Sequence, residues 1–135
     1  MTQLDAVMAK VRAENRAALI AYIPAGFPTQ AGCAKAIRAL ADAGVDAIEI
    51  GFPYSDPVMD GLVIQHATEE ALANGFRLRD LFDIIKGVRE KVDTPLLVMS
   101  YWNPVLSYGV ERFSQDLAQA GAQGALKVPD AESRE

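Results

Sequence analysis

The chain has 135 residues, a formal net charge of -5 and 50% hydrophobic residues, the balance of an ordinary globular protein with enough length for one core. Mild acidity gives no electrostatic reason to expect nucleic acid or an anionic membrane as partner, and no apolar run approaches the ~20 residues of a spanning helix. One cysteine, Cys33, excludes an intrachain disulfide and fits a reducing compartment. Met1 to Arg16 lacks the apolar core and cleavage site of a secretory signal, so the cytoplasm is the expected location.

Leu4, Val7, Met8 and Val11 recur at helical spacing with charged residues between them. The segment therefore reads as an amphipathic helix laid on an apolar surface. It lacks the basic face and aromatic anchors of a membrane-surface helix. Ala18 to Ile23 is a near-continuous apolar run, the pattern of a strand buried on both faces. Thr29 is the expected N-cap of a helix whose stripe is Cys33, Ile37, Leu40 and Ala41. Gly44 sits where a left-handed C-terminal cap belongs. A strand follows at Ala47 to Ile50. A helix is expected over Leu62 to Ala73, stopped by Asn74-Gly75. Another carries Leu81, Ile84, Ile85 and Val88, and Pro95 precedes a strand from Leu96 to Met99. Gly109 to Ala120 reads as a helix with Val110, Phe113 and Leu117 inward, ended by Gly121, and Ala125 to Val128 as a fourth strand. The tail from Ala131 to Glu135 is polar, with no element.

Strands alternating with helices in this rhythm imply a parallel sheet with crossover helices. Four strands are visible, where a closed (β/α)8 barrel has eight and typically ~250 residues. The expected fold is therefore α/β, a half-barrel of TIM type over residues 1–135, with an N-terminal capping helix and no second domain. Its first and fourth strands would each lack a neighbour. The isolated polypeptide is expected to dimerise or aggregate through these open edges, or to be a fragment.

The chemistry concentrates in residues 47–61. Glu49 interrupts an apolar strand, a costly position unless the acid is used. Beyond it Gly51, Pro53, Pro57 and Gly61 forbid regular structure, and the loop carries Asp56 and Asp60. Alternation puts Ile48 and Ile50 on one strand face, suited to packing helices, and Ala47, Glu49 and Gly51 on the other. Glu49 then points into the barrel mouth, at the carboxyl ends of the strands where such barrels hold their sites. An apolar mouth favours a neutral carboxyl, raising its pKa toward the range useful for proton transfer. The alternative is a structural glutamate paired with an amide or cation. Asp60 could act chemically or cap the helix that follows; Asp56 could be a turn residue. His66, the only histidine, has no second ligand nearby and reads as a surface residue. No metal is expected, because the acid spacing matches no known binding loop.

The run from Glu49 to Gln65, Glu-Ile-Gly-Phe-Pro-Tyr-Ser-Asp-Pro-Val-Met-Asp-Gly-Leu-Val-Ile-Gln, closely resembles the signature of the tryptophan synthase alpha subunit family. Ala25-Gly26-Phe27-Pro28 and Tyr101-Trp102-Asn103-Pro104 agree with it. The resemblance implies a lyase of tryptophan biosynthesis that cleaves indole-3-glycerol phosphate by a retro-aldol reaction. Glu49 would protonate the ring carbon and take the hydroxyl proton, and Asp60 would manage the ring N–H. It further implies substrate contacts at Tyr22, Ser100 and Lys127, and a partner surface at Asp56, Pro57 and Asn103. That partner is a beta subunit, in an alpha2beta2 heterotetramer. Pyridoxal phosphate is expected only in the beta subunit, with no cofactor on this chain.

Two departures matter. No Gly-rich phosphate loop occurs within the 135 residues, so the isolated chain is expected to be nearly inactive. Lys127 stands where the family has an aliphatic residue. It could be exposed, pair with Glu49 and keep it ionised, or form a Schiff base as in another class of aldolase. A catalytically inactive half-barrel serving as a binding or assembly module is the alternative to the lyase.

Overall fold

The structure, a computed structural model, describes residues 2–55 and 60–127. In chain order it contains α1 (Gln3–Ala13), β1 (Ile20–Pro24), α2 (Gln30–Asp42), β2 (Ala47–Gly51), α3 (Leu62–Ala73), α4 (Leu78–Arg89), β3 (Leu96–Ser100), α5 (Trp102–Tyr108), α6 (Val110–Ala120) and β4 (Gly124–Lys127). The helix boundaries follow local chemistry. Thr29 caps α2, its hydroxyl oxygen accepting the Gly32 N–H at 3.0 Å, and Gly44 beyond its end has φ +94°. α1 opens on a capping box in which the Thr2 hydroxyl and the Asp5 carboxylate satisfy each other's backbone N–H.

The four strands form one parallel sheet in the order β1-β2-β3-β4. Its register aligns Tyr22 with Glu49, Glu49 with Leu97 and Leu97 with Gly124. On one face Ile48, Ile50, Leu96 and Val98 are fully buried against Ile37 of α2, Leu81, Ile85 and Val88 of α4, and Leu117 of α6. Each such aliphatic side chain removed from water contributes ~1.5–3 kcal/mol. These residues are why the strands stay in register, since a one-residue slip would turn each isoleucine out of the core. Glu49 therefore lies on the opposite face.

The first strand departs from the expectation of burial on both faces. β1 is an edge strand, with Leu19 61% and Ile20 47% exposed. An apolar run does not distinguish a central strand from an edge whose neighbour lies elsewhere. Val110 also differs: it is 42% exposed, while Phe113 and Leu117 are buried as expected.

The amino-terminal end of the sheet is tied down. The Gln3 side-chain amide of α1 donates to the Asp93 carbonyl, and the Gln3 backbone N–H donates to the Gln123 side chain at 3.2 Å. Both partners precede strands, so α1 crosses the amino ends of β3 and β4. Val11 is its fully covered contact. Arg16 and Asp46 join the entries to β1 and β2. The opposite end carries the loops and the acids.

Candidate active site at the carboxyl ends of the strands

Glu49 is half-buried on β2, between Tyr22 of β1 and Leu97 of β3. Among the described residues its carboxylate has no hydrogen bond or ion pair. The paired structural glutamate considered above is therefore not what those residues form. Asp60 lies at the end of the loop that leaves β2. The N-cap of α3 is Gly61, with no side-chain cap bond, so Asp60 does not serve as the cap. Its carbonyl accepts the Gln65 amide at 2.8 Å, while burial pushes its carboxyl above the usual aspartate range.

Tyr22 links the two acids. Its ring lies over Gly51, where a Cβ would collide with the phenol oxygen and come within 2.6 Å of Cζ. Burial raises the phenol well above its ordinary pKa, and the charges of Asp60 and then Glu49 add to this, followed by Tyr101. Three polar groups thus share one region at the carboxyl end of the sheet.

Aromatic side chains hold the mouth. Tyr54 stacks on the buried Tyr101 with ring centroids 5.2 Å apart, and the Asn103 side-chain amide donates to the Tyr54 hydroxyl at 3.3 Å. Phe52 donates its N–H to the Met99 carbonyl at 2.8 Å, fixing the start of the loop against β3. Tyr101, Gly51 and Leu97 were not among the expected site residues. The signal for Tyr101 was its place in the Tyr-Trp-Asn-Pro run directly after the strand.

Not every expected site residue joins this group. Ser100 alternates with Val98 and so falls on the helix side of β3. It is buried, and its hydroxyl donates to the Tyr101 carbonyl at 2.8 Å rather than into the mouth. Lys127 aligns with Ser100, and Ala125 with Val98, whereas Glu49 aligns with Leu97 and Gly124. Asp56 and Pro57 lie outside the described residues. Asn103 is exposed beside Tyr54, and His66 is exposed on α3. Among the described residues no three His, Cys, Asp or Glu side chains gather as metal ligands, and no helix is long and apolar enough to cross a membrane. A groove of about 760 Å³ runs between β1 and α3, lined by Tyr22, Phe27, Leu40 and Ile64 among others.

Parallel strands backed by helices on one face, with Glu49 and Asp60 toward their carboxyl ends on the other, define a half-barrel of the (β/α)8 type. The profile of the family described as Tryptophan synthase alpha chain matches residues 8–135. The tryptophan synthase alpha chain of Leifsonia xyli subsp. xyli is 54% identical over 130 residues, covering 96% of this chain and 49% of its own length. That of Streptomyces coelicolor is 49% identical over 127 residues, covering 94% and 46%. A crystal structure of tryptophan synthase from M. tuberculosis in its aminoacrylate-bound form superposes with a TM-score of 0.91 at 43% identity, over 99% of this chain and 54% of that one. The alpha subunit from Legionella pneumophila str. Paris gives 0.91 at 35% identity, over 95% and 49%. The chain belongs to the tryptophan synthase alpha chain family. It spans about half the length of the curated relatives it matches.

Proposed function

We propose that this chain supplies the acid–base half of a tryptophan synthase alpha-type active site, cleaving indole-3-glycerol phosphate to indole and glyceraldehyde 3-phosphate in tryptophan biosynthesis. The observation that carries the reading is the placement of Glu49. It is a half-buried acid at the carboxyl end of a parallel strand, unpaired among the described residues, with Asp60 and Tyr22 close enough to interact electrostatically.

In this reaction a protonated Glu49 gives its proton to the indole ring carbon that bears the side chain. Asp60, at the ring N–H, favours the indolenine form in which that carbon is tetrahedral. The Glu49 carboxylate then takes the proton of the adjacent side-chain hydroxyl. The carbon–carbon bond breaks, its electrons restore the aromatic ring, and the hydroxyl carbon leaves as an aldehyde. Glu49 ends protonated, as it began. A raised Asp60 pKa suits a group that shares a proton with the ring nitrogen.

This reading gives the chain no cofactor and assigns pyridoxal phosphate to a beta subunit in an alpha2beta2 assembly. The aromatic mouth at Tyr54, Tyr101 and Asn103, with the loop bearing Asp56 and Pro57, is the proposed docking side. Residues 1–135 would form the first half of the barrel as one unit. The exposed Leu19 just before β1, Ile20 within it and Leu126 on β4 suit pairing with further strands, or self-association where those are lacking. A cytoplasmic setting fits the buried free thiol of Cys33. The test is indole release on adding indole-3-glycerol phosphate to these residues within a complete barrel of the family's length. Stoichiometric indole and aldehyde support the reading; no release in the presence of the beta subunit rejects it.

A further inference from the structure

The lyase reading gives Tyr22 a substrate contact through its ring but leaves its hydroxyl without a task. Tyr22 pairs with Glu49 in register, yet its ring leans along the strand direction and lies over Gly51, two residues beyond Glu49. Any side chain at 51 would occupy the volume of the phenol, so glycine there is what admits the hydroxyl to the uppermost layer of the sheet. Gly51 shares the strand face of Glu49, two residues nearer the carboxyl end of β2. Among the described residues the Tyr22 hydroxyl has no hydrogen-bond partner, and neither has either carboxylate. Burial and the neighbouring negative charges keep the phenol protonated through ordinary pH, so it can act as a donor.

We propose that Tyr22 is a positioning residue whose hydroxyl, seated over Gly51, donates a hydrogen bond to the substrate oxygen that surrenders its proton to Glu49. A hydroxyl has one proton to give and two lone pairs to offer. Donation from Tyr22 occupies one lone pair and turns the substrate's own O–H toward the carboxylate beside it. Tyr22 makes and breaks no covalent bond and keeps its proton throughout. The inference rests on the lyase reading and specifies the substrate group recognised: the side-chain hydroxyl next to the aromatic ring.

The experiment uses the native enzyme with Tyr22→Phe, Gly51→Ala and the pair together. Tyr22→Phe should lower kcat/KM about tenfold, the size of one neutral hydrogen bond. The dissociation constant of an indole alkyl phosphate lacking the side-chain hydroxyls should stay within about twofold, because that analogue has nothing for Tyr22 to hold. Gly51→Ala should cause a similar loss by displacing the phenol, and the double variant should be no worse than the more damaged single one. Unchanged kcat/KM in Tyr22→Phe overturns the proposal. So do losses that multiply, or an equal loss of affinity for the hydroxyl-free analogue, which would mark the ring as mere filling. Where Gly51→Ala does not fold, Tyr22→Phe with the analogue decides alone. Failure of the lyase reading itself shows separately, as full activity in Glu49→Gln.

Discussion

Arg16 grips Asp46 through two hydrogen bonds of 2.8 Å, one from each terminal nitrogen, while the Leu19 N–H donates to the same carboxylate at 2.7 Å. Three bonds on one aspartate bind the turn before β1 to the turn before β2. The Arg16 hydrogen bond first, then the Leu19 amide, hold the Asp46 carboxyl well below its ordinary range. A carboxyl depressed in the folded state contributes stability above its unfolded pKa of about 3.9, and that contribution is lost as pH falls toward the native value. Urea midpoints measured from pH 7 to pH 2.5 should therefore fall below about pH 4 in the wild type. Asp46→Asn should be less stable at pH 7 and show a flatter acid limb. Parallel curves for the two proteins would refute the linkage.

Arg89 plays a comparable part between helices. Its Nε donates to the Gly121 carbonyl at 3.1 Å, and its Nη1 to the carbonyls of Val92 and Thr94 at 3.0 and 3.1 Å. Gly121, at φ +100°, is left-handed and also leaves room for the arginine stem, since a Cβ there would lie 2.8 Å from Cγ. Arg89→Met leaves three carbonyls without their donor and should cost on the order of 2 kcal/mol. Arg89→Lys should recover little of it, because one ammonium cannot span three acceptors in a fork. A midpoint unmoved by Arg89→Met would remove this role.

Asp60 is expected to trade stability for chemistry. Burial raises its folded pKa, so ionisation costs more in the native state than in the unfolded chain, and the native state is penalised above the unfolded pKa of about 3.9. Asp60→Asn should be at least as stable as the wild type at pH 7, with the difference shrinking as pH falls toward 4, while indole formation drops. Denaturation at pH 7 and pH 4 checks this. A clear loss of stability at pH 7 would instead mark the aspartate as structural.

Much of this architecture was legible where local chemistry and periodicity agreed. Leu81, Ile84, Ile85 and Val88 all point into the core, and Thr29 and Gly44 bracket α2. Glu49 was legible because Ile48 and Ile50 fix the phase of their strand on both sides of it. α5 was not, because seven residues interrupted by Pro104 carry too little periodicity to register as a helix. Ser100 shares the phase of Leu96 and Val98, which face the helices, and its hydroxyl bonds the Tyr101 carbonyl; the resemblance that named it carries no information on that phase. The placement of Tyr22 over Gly51 could not be read at all, since it depends on how one ring leans across to the next strand.

The central claim is that Glu49 moves the proton, and Glu49→Gln keeps the shape of the side chain while removing that ability. The measurement is steady-state indole formation from indole-3-glycerol phosphate by the native enzyme and this variant, with binding of the hydroxyl-free analogue as a control for an intact site. The account predicts a fall in kcat of at least about a hundredfold with analogue affinity preserved. A variant that turns over within about twofold of the wild type would contradict it.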